Sequence, residues 1–178
     1  MRYLVVAALL AIALPSSARA GDVNPGKTVA AFYNLYLQEK PRGVPDAAVR
    51  EKFRPLISRE LGRLLDAAAA AEDLHFRKTN NEEPPLVEGD LFSSLFEGAT
   101  AFTPGKCAVE GDHAYCDADL AYAEPGEAKP TTWTDKVALI RSPQGWLVDD
   151  IAFGGAWDFG QHGMLRATLR QVAAYDGE

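Results

Sequence analysis

Two adjacent carboxylates, Asp149 and Asp150, are the residues whose type and setting most favour chemistry. They lie in the segment GWLVDDIAF, which has the apolar, β-branched composition typical of a strand. Because successive side chains of a strand point to opposite faces, the two aspartates are not expected to act together as an acid–base pair. Each carboxylate therefore has to be considered with its own neighbours.

The turn before this strand predicts the neighbours of Asp149. A four-residue turn at 142–145 would place Asp149 opposite Ala138 on the preceding strand. Lys136 would then be its diagonal neighbour, close enough for a salt bridge. We expect Asp149 to be paired in this way.

The same register gives Asp150 an apolar setting. It places Asp150 opposite Val137 and on the face that carries Trp146. Burial among apolar side chains would raise the pKa of the carboxyl, as in a general acid or base that lines a pocket. A carboxylate that caps backbone amides or binds a helix arginine would have the same surroundings, so both interpretations stay open.

The segment GGAWDFGQHG supplies two further candidates, Trp157 and His162. Glycines beside aromatic side chains are typical of a loop at the mouth of a ligand pocket. The same residues suit a loop that carries the chain from the last strand into a closing helix, with Trp157 and Phe159 as apolar plugs. We consider Trp146, Asp150, Trp157 and His162 as the candidate pocket or binding residues.

Metal and nucleotide chemistry is not indicated. His75, His113 and His162 are the only histidines, and none has ligand spacing to another. No phosphate-binding loop, dinucleotide motif or nucleophile elbow occurs. Asp117 and Asp119 share one face of a predicted strand and suit either a cation or, more simply, a solvated surface. The sequence predicts no metal and no cofactor.

Two cysteines are predicted to form a disulfide. In CAVEGDHAYC, a two-residue turn at 111–112 would place Cys107 opposite Cys116 as a non-hydrogen-bonded pair, close enough to bridge. Val109 and Ala114 share that face, so the bridge is expected to point into the core. A redox pair or a metal site would be the alternative, but neither Cys-x-x-Cys nor a histidine cluster is present.

The first twenty residues, MRYLVVAALLAIALPSSARA, have the three parts of a secretory signal peptide. A basic start and an apolar run lead to a small-residue site, which predicts cleavage after Ala20. The apolar run is shorter than the roughly 20 residues that a membrane anchor needs. We therefore expect a signal peptide at 1–20, a single domain at 21–178, and a soluble periplasmic protein without membrane anchoring.

Charge narrows the class of partner. The chain has 18 basic and 25 acidic residues and a formal charge of −7. Loss of Arg2 and Arg19 with the signal peptide leaves 16 basic residues and a charge of −9. An acidic surface argues against nucleic acid and favours a small molecule or a basic protein as partner, although acidity also serves solubility alone.

Periodicity predicts an α+β fold. Helical spacing indicates a helix from Asn24-Pro25 to Lys40, a second from Pro45 that breaks at Pro55, and a third that begins after Ser58. Strand patterns follow from Phe92 onward, and a closing helix is expected over 164–175. This order predicts N-terminal helices packed on a curved antiparallel sheet.

Several segments resemble bacterial exported domain-of-unknown-function proteins of the nuclear transport factor 2-like, or ketosteroid isomerase-like, cystatin-like α+β fold. They are FYNLYL (32–37), LISRELGRLL (56–65), EGDLFSSLFEGATAF (88–102), WTDKVALIR (133–141), GWLVDDIAFGG (145–155) and WDFGQHGMLRATL (157–169). The resemblance implies a cone with an internal pocket. It implies no particular activity, because such cones include both enzymes and binding modules.

These observations together favour a non-enzymatic ligand- or protein-binding module with a cone-type pocket. The first alternative is a small-molecule isomerase or dehydratase that uses Asp150. The second is a periplasmic inhibitor or immunity-type protein that neutralises a basic partner.

Overall fold

The computed structural model describes residues 24–177, so the signal peptide and the cleavage site predicted after Ala20 lie outside the described residues. Within this range the chain is α+β: helices come first, four antiparallel strands follow, and a helix closes the domain. The elements are α1 (Pro25–Glu39), α2 (Ala47–Phe53), a 3₁₀ turn (Arg54–Leu56), α3 (Arg59–Lys78), β1 (Ala101–Glu110), β2 (His113–Tyr122), β3 (Thr131–Ser142), β4 (Gly145–Ala152) and α4 (Leu165–Ala173). None of the helices in 24–177 is both long and apolar enough to cross a bilayer.

Side-chain caps set the starts of the first three helices. Asn24, Asp46 and Ser58 each accept a hydrogen bond from an amide in the first turn of the helix that follows. Pro55 lies in the 3₁₀ turn that separates α2 from α3, as its missing N–H requires. The predicted starts of α1 and α3 are confirmed, whereas α2 begins at Ala47 rather than Pro45 and α4 covers only Leu165–Ala173 of the expected 164–175. The strands begin at Ala101 and not at Phe92.

The four strands form one open sheet in the order β1-β2-β3-β4. The predicted hairpin register between β1 and β2 is confirmed, and Cys107 and Cys116 are paired and disulfide-bonded. Cys116 is buried, but Val109 is 52% exposed, so the expectation that the whole of this face points into the core is wrong. β1 is the edge strand of the sheet, and its last five residues are all exposed.

Strand β4 contains a bulge that the sequence analysis did not predict. Ala138 pairs with Asp150 rather than with Asp149, and Val137 pairs with Ile151 rather than with Asp150. Asp149 is the extra residue, which breaks the alternation of faces. The predicted register is correct from the turn to this point and wrong beyond it.

The core lies between the helices and the sheet and is rich in aromatic rings. Tyr33 of α1 stacks on Phe102 of β1, with ring centroids 4.7 Å apart. Phe92, from the irregular segment between α3 and β1, packs against Phe32 and Phe53 at 5.4 and 5.2 Å. These rings fill the space between the helices and the sheet.

Candidate ligand-binding groove and buried carboxylates

Asp150 is half-buried and serves as a cap for α4. Its Oδ1 accepts hydrogen bonds from the backbone N–H groups of Ile151 and Arg166, both at 2.9 Å. Met164, at the N-cap position of α4, makes no side-chain cap of its own, so Asp150 takes over that role from β4. Burial raises the pKa of the Asp150 carboxyl, while the two amides act in the opposite direction.

Asp149 is directed to the same helix. Its Oδ2 accepts a charged hydrogen bond from Nη1 of Arg166. The predicted salt bridge between Asp149 and Lys136 is wrong, because Lys136 instead pairs with Asp117 directly across from it on β2. The bulge thus lets two adjacent carboxylates reach one residue at the start of α4.

Trp146 is a core residue. Its side chain is 3% exposed, and the guanidinium of Arg141 lies over its ring, 4.3 Å from the centroid. This cation–π contact covers the indole on one side. The structure therefore does not bring Trp146 and Asp150 together on an open apolar face.

Asp135 on β3 is a fully buried carboxylate that the sequence analysis did not single out. It accepts hydrogen bonds from the backbone N–H and the hydroxyl of Ser94, from the N–H of Gly154 at 2.9 Å and from Nε1 of Trp133 at 3.2 Å. The Ser94 hydroxyl in turn accepts from the N–H of Gly155 at 2.9 Å. Four donors around one carboxylate explain how its charge is tolerated in the core.

Asp90 is a second buried carboxylate, 3% exposed. Oδ1 accepts from the N–H groups of Phe92 and Ser93 at 2.8 and 2.7 Å, and Oδ2 accepts from the hydroxyl of Tyr36 at 2.7 Å. Burial raises the pKa of Asp90 to about 6, against the lowering effect of these hydrogen bonds. Burial also raises the pKa of Tyr36, followed in size by the nearby Asp90 charge.

Together these two carboxylates hold the irregular segment 86–100 against the core. Asp90 lies within the segment, and Asp135 binds its Ser94 from the sheet. The sequence offered one usable signal: Asp135 occupies the inward position between Trp133 and Val137 in an alternating strand. An aspartate at that position needs buried partners, and the segment supplies them.

An open groove lies between segment 86–100 and the loop that joins β4 to α4. It encloses about 390 Å³. Its lining residues, which define the Trp157 groove below, are Glu88, Leu95, Phe96, Glu97, Trp157, Phe159 and Gly160.

The indole of Trp157 is held in a fixed position at this groove. It meets Trp133 edge-to-face, with centroids 5.4 Å apart and the planes at 88°. A Cβ at Gly155 would approach the Trp157 ring to 2.3 Å, and one at Gly160 would approach the carbonyl oxygen of Ser94 to 2.3 Å. Only glycine fits at both positions. The loop that joins β4 to α4 therefore packs closely against the Trp157 ring and against segment 86–100.

The prediction that Phe159 is an apolar plug is wrong, because its ring is 87% exposed at the edge of the groove. Of the candidates from sequence, only Trp157 lines the groove. His162 is exposed and is not among the lining residues. The plug and pocket interpretations of Trp157 therefore describe two sides of one indole: one side packs on the core and the other lines the groove.

The charged residues that line the groove are both acidic. Glu88 and Glu97 are exposed, and the described lining includes neither lysine nor arginine. The guanidinium of Arg42 lies over Phe96, 5.5 Å from its centroid, and donates through Nη1 to the backbone oxygen of Glu97 at 2.9 Å. Arg42 lines an adjacent cavity that shares both Glu88 and Phe96 with the groove.

Residues 24–177 contain no group of three or more histidines, cysteines, aspartates or glutamates placed to hold a metal ion. No family model, curated protein or solved structure matches this chain.

Proposed function

We propose that the protein is an exported, non-enzymatic binding module that takes a small ligand in the Trp157 groove. The observation that carries this proposal is an exposed aromatic ring, that of Phe159, beside a fixed indole in an open cavity. A ring that is 87% exposed gains the most from a ligand that covers it. A volume of about 390 Å³ lies within the range of small-molecule sites.

The buried carboxylates favour binding over catalysis. A general acid or base must reach the substrate proton through a hydrogen bond. Oδ1 of Asp150 is held by two backbone amides at the start of α4, and Asp90 and Asp135 are each held by three or more hydrogen bonds within the chain. These contacts weigh against the isomerase or dehydratase alternative that uses Asp150.

The compartment in this proposal is the periplasm. Its supports are the signal-peptide pattern that ends at Ala20 and the Cys107–Cys116 disulfide, which an oxidising compartment maintains. We also propose that the α+β fold is of the nuclear transport factor 2-like type. In this proposal aromatic rings fill the interior, and the ligand binds at the surface, in the Trp157 groove.

A thermal-shift screen of small molecules against the mature protein tests the proposal. Hits should be lost in Phe159→Ala and kept in Tyr115→Ala, which removes another exposed ring (38%) from the sheet. Asp150→Asn should also keep them. Hits that persist in Phe159→Ala, or turnover of any hit that Asp150→Asn abolishes, would contradict the proposal.

The alternative is an inhibitor or immunity-type protein, which the acidic net charge of the chain favours. Its partner would be a basic protein and not a small molecule. This alternative predicts a stoichiometric complex with a basic protein that survives gel filtration at low salt. Such a complex, formed equally well by Phe159→Ala, would replace the small-molecule proposal.

A further inference from the structure

Building on the proposed function, we infer that the ligand of the Trp157 groove is a small organic cation, a substituted ammonium or guanidinium compound. The groove is lined by aromatic rings and by two glutamates. Each of these features favours a positive charge, and the described lining includes neither lysine nor arginine.

The aromatic part of the groove comes from three rings, those of Phe96, Trp157 and Phe159. The face of an aromatic ring attracts a cation, and tryptophan does so most strongly. The Phe96 ring already shows this preference within the chain, because the guanidinium of Arg42 lies over it. A ligand cation in the groove would extend the same interaction to Trp157 and Phe159.

The carboxylates of Glu88 and Glu97 supply the charge that distinguishes a cation from a neutral apolar molecule. Both are exposed, so each keeps its solvation and acts on the ligand at the edge of the groove. An anionic ligand would be repelled by both, and the acidic net charge of the chain would add to that repulsion. Arg42 offsets part of this charge, because it bonds to the Glu97 carbonyl and lines a neighbouring cavity together with Glu88. Two carboxylates against one guanidinium still leave the surroundings of the groove net negative.

Isothermal titration of matched probes tests the inference. The two cations are choline and 2-phenylethylammonium, and their neutral counterparts of similar shape are 3,3-dimethylbutan-1-ol and 2-phenylethanol. Each cation should bind about tenfold more tightly than its counterpart, as a cation–π contact supported by charge predicts. The preference should weaken as ionic strength rises.

The double variant Glu88→Gln/Glu97→Gln should remove most of this preference and leave the neutral probes unchanged. Its matched control is Glu124→Gln/Glu127→Gln, which makes the same change of charge at two exposed residues between β2 and β3. The control should behave as wild type. Phe159→Ala should weaken all four probes.

The outcomes separate the two proposals. Equal binding of cations and neutral counterparts, lost in Phe159→Ala, would overturn the cation inference and leave the binding groove in place. Binding of none of the four probes would overturn the cation inference, and the thermal-shift screen would then decide on the binding groove. Binding that Phe159→Ala does not affect would overturn both proposals. Lysine- or arginine-containing peptides that bind far more tightly than the free cations would show that the cation belongs to a protein, which contradicts the small-molecule assignment.

Discussion

The hydroxyl of Tyr36 donates a 2.7 Å hydrogen bond to the buried carboxylate of Asp90 and accepts one of 2.7 Å from the backbone N–H of Ala99. One phenol therefore joins α1 to both ends of a turn in segment 86–100. Gly98 closes the turn at φ +83°, and a Cβ there would lie 2.8 Å from the Tyr36 hydroxyl oxygen. The contact holds the segment that forms one wall of the Trp157 groove.

Asp90 should make the stability of the protein depend on pH. Burial raises its pKa to about 6 in the folded state, from 3.8 for the free side chain. The folded protein therefore holds this proton more tightly than the unfolded chain, so the contribution of Asp90 is fully present below about pH 4 and is lost as pH rises through 6. Relative to Asp90→Asn, wild type should lose on the order of 3 kcal/mol between pH 4 and pH 7.

Urea unfolding of wild type and Asp90→Asn at several pH values measures this difference. The difference between the two proteins isolates Asp90, since the other carboxylates titrate in both. A difference that stays constant from pH 4 to pH 7 would show that the Asp90 pKa is not raised.

Ser94→Ala removes a single oxygen atom and should destabilise the protein strongly. It removes a donor from the fully buried Asp135 and leaves the N–H of Gly155 without its acceptor. Loss of a buried hydrogen bond to a charged group costs about 2–3 kcal/mol. Ser93→Ala is the comparison, because the buried hydroxyl of this neighbouring serine lies beside Tyr36 and Asp90 and does not bond to Asp135. Denaturant midpoints should fall further for Ser94→Ala than for Ser93→Ala.

The Cys107–Cys116 disulfide should stabilise the hairpin of β1 and β2. It closes a loop with a sequence separation of 9 residues, for which chain entropy predicts about 2–3 kcal/mol. Unreduced mature protein should be lighter than reduced protein by two hydrogen atoms, and reduction should lower the unfolding free energy. Two free thiols in the native protein would refute the predicted pairing.

Local patterns predicted much of the fold. The caps at Asn24 and Ser58 and the turn at 111–112 act within a few residues, so their outcomes followed from nearest neighbours. The disulfide register followed from the turn for the same reason. The exposure of Val109 did not follow from the turn, because the burial of a residue near the end of an edge strand depends on which distant elements pack over it.

The candidate site was less predictable because its geometry depends on distant partners. Asp149 and Asp150 both contact Arg166, and the bulge of β4 lies at Asp149. The sequence of β4 indicated that Asp150 could cap backbone amides or bind a helix arginine, but it did not identify the residue, which lies sixteen positions away. The Trp157 groove likewise needs segment 86–100, whose irregular backbone is held by Asp90 and Asp135 rather than by a periodic pattern.

Substitution of Asp150 separates a structural role from a catalytic one. Asp150→Ala removes the acceptor for the N–H groups of Ile151 and Arg166 and should cost about 1 kcal/mol, as the loss of a helix cap does. Asp150→Asn keeps a carbonyl oxygen at that position and should retain most of the stability. Neither variant should alter cation affinity at the Trp157 groove, because Asp150 is not among its lining residues. Chemical denaturation and titration of the same preparations test both statements. Lower affinity in Asp150→Asn without a change in stability would mean that this carboxylate contacts the ligand rather than caps α4.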